Sequence, residues 1–251
     1  MNEIKLIGLS GQLQNGKDTV ADLILKYTTI KKQNLPYNDG LFDESPWKTK
    51  RFAGILKQMT ALLIGCDVLD LERDEFKNTP LSEEWRRWFF IDRKLIFENG
   101  DDGLIKKYFS TKEDAHQFII DNDWYWLCED DLNSEILTPR LVLQLLGTEG
   151  GRDVIHPNIW VNATLGNVKE TEKIIITDCR FPNEVTGIKK RKGIVVRVVR
   201  PSKVSASTHP SETSLNDFND WDYVIVNDGT IEELELKVVE MLLHYKIINK
   251  S

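Results

Sequence analysis

Apolar residues recur along this chain in two rhythms. Short apolar runs at residues 4–9, 173–177, 194–199 and 223–226, with a weaker one at 50–53, have the length of strands, and most are rich in Ile and Val. The triplet Ile174-Ile175-Ile176 and the run from Ile194 to Val199 are nearly continuous, as parallel strands covered on both faces require. Between them, residues 18–32, 54–64, 139–147, 159–168, 182–192 and 231–245 repeat apolar positions at helical spacing, with Pro139 and Pro182 suited to first-turn positions. Strand and helix alternate, which predicts an α/β fold with a doubly wound, mainly parallel sheet of about five strands. Residues 33–49 are polar and read as a loop.

The stretch 67–137 breaks the alternation. It is acidic and carries Trp85, Trp88, Phe89, Phe90, Trp124, Tyr125 and Trp126. A helical insertion within a single domain over 1–251 is the expectation, acting as a lid or acceptor-binding part, with its aromatics as core packing. Arg86 and Arg87 are candidate moving cations of such a lid, with surface solvation the simpler role for either.

The first apolar run feeds directly into Ser10-Gly11-Gln12-Leu13-Gln14-Asn15-Gly16-Lys17-Asp18-Thr19 and then into a helical pattern. Strand, glycine loop and helix together make a phosphate cradle. Gly11 and Gly16 permit backbone shapes closed to other residues, the helix start offers its positive dipole end, and Lys17 supplies a cation for outer phosphates. The spacing fits G-x-x-x-x-G-K, but the next position holds Asp18, and the hydroxyl arrives one residue later at Thr19. Asp18 can hold Mg²⁺ through water or orient Lys17. A plain glycine turn beside a solvated lysine would give the same pattern.

Charge and cysteine content narrow the partners. A net charge of -7 argues against a nucleic-acid polymer, which needs a broad basic surface, while a mononucleotide needs only a few local cations. Three scattered cysteines form no C-x-x-C pair and suit a reducing cytoplasm. The chain shows no secretory leader pattern and no apolar run long enough for a membrane span, so neither export nor a membrane partner is expected.

Three later clusters favour group transfer. In the first, Arg140, Gln144 and Thr148 fall on one helix face after Thr138-Pro139, and Arg152 follows Gly150-Gly151. An Arg fork grips phosphate and an amide reads a base or sugar edge; a helix-surface Arg140 and an Arg152 paired with Asp153 or Glu149 remain the alternative. In the second, Asp178, Arg180 and Glu184 stand where a buried strand gives way to a helix, the edge at which open α/β sheets bind ligands. Asp178 there can hold water on Mg²⁺, Arg180 can neutralise a transferred phosphoryl group and Glu184 can fix the Arg180 fork, or Asp178 can serve as a helix N-cap. The third, Arg197 to Arg200 with His209 and Glu212 beyond, is equally readable as polar surface.

Together, Gly-x-x-x-x-Gly-Lys-Asp-Thr near the start, Thr-Pro-Arg-x-x-Leu-Gln-x-x-Gly-Thr-Glu-x-x-Arg midway, Asp-x-Arg-Phe-x-Asn-Glu later and His-x-Ser-Glu near the end resemble the bacteriophage deoxynucleoside monophosphate kinase family. The resemblance spans most of the chain. It implies a P-loop kinase fold that moves the γ-phosphoryl of ATP, with Mg²⁺, onto a deoxynucleoside 5′-monophosphate (dNMP). It also implies a phage product in the bacterial cytoplasm, supplying DNA precursors as a homodimer. Carried over, Gly11, Asn15, Gly16, Lys17, Asp18 and Thr19 would bind ATP phosphates, and Lys57, Arg140, Gln144, Arg152, Asp178, Arg180 and Glu184 would form the acceptor and transfer site. Lys17, Arg180 and Asp178 would be catalytic; Asp18, Thr19 and Asp178 would face the metal. Lys57 rests on the looser match Arg51-Phe52-Ala53-x-x-Leu56-Lys57. Leu13 and Gln14 stand where some relatives carry basic residues. Two rival functions stay open: a kinase of another small metabolite, as in dephospho-coenzyme A kinases, and an ATP-binding regulatory module without transfer.

Overall fold

The computed structural model describes residues 3–29, 45–92, 107–202 and 213–249. The chain divides into two compact units, Met1–Leu56 with Gly151–Ser251, and Lys57–Gly150.

The first unit is built on five parallel strands: β1 (Leu6–Ser10), β2 (Trp47–Lys50), β5 (Lys173–Cys179), β6 (Ile194–Val199) and β7 (Tyr223–Val226). Their order is β2-β5-β1-β6-β7, so β1, the strand that leads into the glycine loop, lies at the centre. Alternate side chains of the apolar runs point to opposite faces, and both faces are covered. On one, Val20 and Ile24 of α1 (Lys17–Thr28) and Leu234, Val238 and Met241 of α8 (Ile231–His244) pack with Ile7, Leu9 and Ile175. On the other, Val161 and Leu165 of α6 (Ile159–Leu165) and Val185 and Ile188 of α7 (Pro182–Lys190) pack with Leu6, Ile174 and Ile176. Gly8 permits the close approach of α7: a Cβ there would stand 2.4 Å from Ile188 Cδ1.

Four of the five strands fall where the apolar runs place them, while the weakest shifts. The strand expected at 50–53 lies at Trp47–Lys50, inside the stretch read as loop, and Phe52 instead opens α2 (Phe52–Ile64). Trp47 accounts for the shift: its side chain is buried in the core beside Ile175, and its backbone is in register with Lys173.

The second unit corrects the expectation of a purely helical insertion. Besides the later part of α2, it holds α3 (Asp74–Asn78), α4 (Lys112–Asp121), α5 (Pro139–Leu145) and an antiparallel pair, β3 (Arg86–Phe90) with β4 (Leu132–Ile136). Trp88 and Phe90 are two residues apart on a strand, so they share a face, and Phe90 is fully buried with Phe109, Ala115 and Leu127. Trp124 packs there as expected, but Tyr125 and Trp126 are exposed. Arg86 is bound to Glu83 and Ser134, and Arg87 to Glu135, so both are tied to their own sheet. Thr138 caps α5 by accepting from Leu141 N–H, with Pro139 in the first turn. Beyond Leu145 the winding loosens into a π-helix, Leu146–Ile155, so the four-residue stacking of Arg140 and Gln144 does not carry on to Thr148.

Among the described residues, no helix is long and apolar enough to cross a membrane. His209 and Glu212 lie outside the described residues, as do residues 33–44 of the expected loop.

Candidate active site

The loop after β1 is shaped by close approaches. A Cβ on Gly11 would stand 2.5 Å from Val198 O, so only glycine fits where the chain turns. Gln14 and Gly16 adopt φ of 63° and 93°, and Gly16 then starts α1 with no side-chain cap. Such alternation turns backbone N–H groups toward a common centre, at which the helix also aims its positive end. Lys17 is buried, and its Nζ donates to Gly11 O at 2.7 Å and Gln12 O at 2.8 Å. The ammonium is thus fixed within the loop.

Two asparagines hold this shape from the far side. Asn15 Nδ2 donates to Val198 O at 3.1 Å, and Asn227 Nδ2 donates to Asn15 O at 3.0 Å. Asn15 Oδ1 is buried and has no hydrogen-bond partner. Asn227 follows β7 directly and is anchored by its own N–H to Val199 O. Sequence reasoning passed over it, although a polar residue at the carboxyl end of an apolar strand was the signal that singled out Asp178. Its amide also leaves Gly16 no room, since a Cβ there would lie 2.6 Å from Asn227 Nδ2. Gly16→Ala therefore combines left-handed strain with a clash. It is expected to lower unfolding stability by about 1–2 kcal/mol and to weaken ATP binding, read from urea midpoints and calorimetric titration with ATP. Unchanged values in both would show that the loop does not depend on this conformation.

The neighbouring strand edge is rearranged by a bulge. β1 and β5 pair in step from Leu6 with Ile174 to Gly8 with Ile176, but Ser10 then pairs with Cys179, so Thr177 and Asp178 together oppose Leu9. Bulges re-aim side chains, and here the re-aimed residue is Asp178. Its Oδ1 accepts from Phe52 N–H at 2.7 Å and its Oδ2 from Ala53 N–H at 2.9 Å. The carboxylate therefore caps α2 rather than the helix that follows it in sequence. Burial pushes its pKa up, against the lowering effect of these two N–H groups. Just before this cap stands Arg51, whose Nε donates to Thr177 Oγ1 at 3.2 Å and whose NH2 group meets Asp18 Oδ1 at 3.1 Å.

Glu184 caps α7. Its Oε2 accepts from Arg180 N–H at 2.7 Å and from Phe181 N–H at 3.1 Å. Expected to fix the Arg180 fork, it holds the Arg180 backbone. Its ion-pair partner is Arg152, with Oε1 3.6 Å from NH2, while the guanidinium lies 4.3 Å from the Phe181 ring centre. Arg152 thus has Glu184 beside it, where the sequence offered Asp153 or Glu149, and burial lowers its pKa against the charges of Glu184 and then Asp153. Desolvation pushes Glu184 up to about 7 despite the two backbone donors. Arg197 donates to Ser10 Oγ at 3.1 Å at the same sheet edge.

The first unit accordingly brings together the glycine loop, Arg152, Asp178, Arg180 and Glu184, and adds Arg51 and Asn227. Lys57, Arg140 and Gln144 belong to the second unit. There, Lys57 meets Glu72 at 2.7 Å, and Arg140 reaches Asn78 Oδ1 at 2.7 Å and Asp74 Oδ1 at 3.0 Å. Lys77, and then Arg140, hold the Asp74 carboxyl below its ordinary range. Gln144 is exposed one turn beyond Arg140.

The chain is similar to several known proteins. The sequence model of a family described as deoxynucleotide monophosphate kinase matches residues 88–238, more than half of the chain. The deoxynucleoside-5′-monophosphate kinase of Escherichia phage T5 is 28% identical over 235 residues, 84% of each chain. The deoxynucleotide monophosphate kinase of Enterobacteria phage T4 is 28% identical over 261 residues, 95% of this chain and 99% of the phage protein. That of Escherichia phage RB69 is 24% identical over 262 residues, 95% of this chain and 100% of its own. The family match contains Arg152, Asp178, Arg180 and Glu184, and the T4 and RB69 similarities run over nearly the whole chain. With a central strand feeding a glycine loop and a five-strand parallel sheet around it, the chain belongs to the deoxynucleotide monophosphate kinase family.

Proposed function

We propose that the chain transfers the γ-phosphoryl of ATP to the 5′-phosphate of a dNMP, giving a deoxynucleoside diphosphate for DNA precursor synthesis. The observation that carries this reading is the meeting of two kinds of anion-binding group on adjacent strand ends. Lys17 and the loop follow β1, and Arg180 follows β5, its backbone held by Glu184. A transferase needs both, whereas a module that only closes on ATP needs one. The acceptor phosphate is already anionic and requires no strong base, so catalysis is positioning and charge neutralisation. Lys17 holds the outer phosphates of the donor, and Arg180 faces the phosphoryl group in transit. Arg152 stands with Arg180 on the acceptor side.

The side chains near the loop suit Mg²⁺. That ion keeps several waters and takes only one or two protein oxygens beside the phosphates. Among the described residues there is no cluster of three His, Cys, Asp or Glu to form a protein cage. Asp18 and Thr19, in the first turn of α1, would hold it, directly or through water. Asp178, with one N–H of α2 on each oxygen and a lone pair of each to spare, would hold water on it. When bound, the ion neutralises oxygens of the β- and γ-phosphates. A bacterial host cytoplasm as its place of work, supported by the phage relatives, and a homodimer as its assembly complete the proposal.

The test is an ADP-release assay with ATP, Mg²⁺ and each of dAMP, dGMP, dCMP and dTMP, with the ribonucleotides and dephospho-coenzyme A alongside. Release that depends on a deoxynucleotide supports the reading. ATP binding without acceptor-dependent release would replace it with the regulatory module, and release only with dephospho-coenzyme A would replace it with the metabolite kinase.

A further inference from the structure

We infer that Arg51 receives the acceptor's 5′-phosphate, with Asp18 as the counter-charge it holds until the acceptor arrives. The inference rests on the transfer reading above and names the ligand group at one point of that site, a phosphate monoester dianion. Neither residue had this role in the sequence, where Asp18 was a departure from the glycine-loop pattern and Arg51 only part of a loose match.

The fold fixes Arg51 from two directions. Lys50 is in register with Ile176, which sets Arg51 beside Thr177, and Thr177 Oγ1 accepts from the guanidinium Nε at 3.2 Å. The backbone immediately after Arg51 is held by the Asp178 carboxylate through Phe52 and Ala53 N–H. The bulge that places Thr177 and Asp178 together against Leu9 therefore serves both grips. A long, rotamer-rich side chain has been ordered in advance at the carboxyl edge of the sheet, where ligands bind.

The contact between Arg51 and Asp18 is a weak one. The Asp18 side chain is 72% exposed and that of Arg51 45%, and ion pairs so open to water contribute little to stability. A phosphate dianion offers a guanidinium two parallel charge-assisted bonds, a stronger arrangement than one exposed carboxylate contact. Exchange of Asp18 for phosphate is thus downhill, while Thr177 keeps the guanidinium oriented. The pair borders an open pocket of about 510 Å³ whose lining includes Asp22, Lys50, Gly54 and Thr177. Because Asp18 directly follows Lys17, an anion taking its place on Arg51 lies beside the start of α1 and the donor-phosphate loop. That is where a nucleophilic phosphate oxygen must stand for transfer. The displaced Asp18 carboxylate is then released beside the loop.

Steady-state kinetics and equilibrium binding test this with the dNMP that the wild-type chain uses best. Arg51→Gln is expected to raise the KM for that dNMP at least about tenfold while the KM for ATP stays within about twofold; Arg51→Lys, retaining charge without the fork, falls between. The corresponding deoxynucleoside, which lacks the phosphate, is expected to bind wild type and Arg51→Gln equally, a result that general loosening of the fold would not give. Asp18→Asn is expected to tighten dNMP binding in the absence of ATP, because it removes the competitor. The inference is overturned if Arg51→Gln leaves dNMP affinity within twofold, or if nucleoside and nucleotide affinity fall together. If Arg51→Gln does not fold, Arg51→Lys decides by the same nucleotide-to-nucleoside ratio. Failure of the wild-type chain to phosphorylate any dNMP is a separate result and speaks against the transfer reading itself.

Discussion

Lys17→Ala is expected to lower turnover by at least about a hundredfold, equivalent to about 2.7 kcal/mol of transition-state stabilisation. The reason lies in where the ammonium is kept. Its Nζ sits within hydrogen-bond distance of Gly11 O and Gln12 O, inside the loop. Charge spreading onto the phosphoryl oxygens in transit meets a cation already in place, in a site partly shielded from water. Alanine removes the charge and also leaves two loop carbonyls without that donor, so loop shape and electrostatics fail together. Lys17→Arg separates the two contributions. It keeps the charge but projects a wider head, and partial recovery of turnover would assign most of the loss to charge. The measurement is kcat with saturating ATP and dNMP, beside a urea midpoint to show that the fold persists. Near-native turnover in Lys17→Ala would remove the glycine loop from the mechanism.

Lys17 was legible in the sequence because everything that defines it is local. A strand, two glycines at fixed spacing and a helix start lie within one short stretch, and each has a composition cue. The same holds for the continuous Ile runs that became β5 and β6, whose two covered faces follow from having no polar side. Asp178 shows where local reading runs out. Its position at a strand end was visible, but its hydrogen-bond partners were not. An acid at the end of a strand reads as an N-cap for the next helix, and no pattern in its own segment reveals a one-residue bulge that turns it toward Phe52 and Ala53. For the same reason α2 began earlier than its apolar spacing indicated, since its cap comes from another strand. Arg51 and Asn227 were missed because their roles exist only in the register between strands. The insertion misled in a different way. Its aromatics are dense enough to satisfy a helical and an alternating pattern at once, and only the pairing of Trp88 with Ser134 and Phe90 with Leu132 decides for strands.

Glu184 carries the clearest stability prediction. Desolvation raises its pKa from an ordinary 4.5 to about 7, with two backbone donors and then Arg152 pulling the other way, while the Asp178 charge adds to the rise. Between these pH values the unfolded chain has released this proton and the folded chain still binds it. Folding therefore takes up a proton, and the contribution of this group is fully present below pH 4.5 and lost as pH rises toward 7. At about 1.36 kcal/mol per pH unit, the loss across that window is about 3 kcal/mol. Glu184→Gln is neutral throughout, and its carbonyl oxygen can still accept from Arg180 and Phe181 N–H. Urea unfolding of both proteins at pH 5, 6, 7 and 8 is expected to show wild type losing ground to the variant by about 2–3 kcal/mol over the series; parallel stability curves would refute the assignment. Asp178, also raised by burial, is present in both proteins, and because its charge acts on Glu184 the difference between the two curves belongs to the pair. The fold thus keeps a carboxylate that weakens it at neutral pH. The gain lies with Arg152, which is itself poorly solvated and has this carboxylate 3.6 Å away. Replacing the carboxylate by an amide turns donor toward donor there, so Glu184→Gln is expected to be the slower enzyme even though it loses less stability toward pH 8. Such opposition between stability and turnover is the mark of a buried charge retained for what it positions.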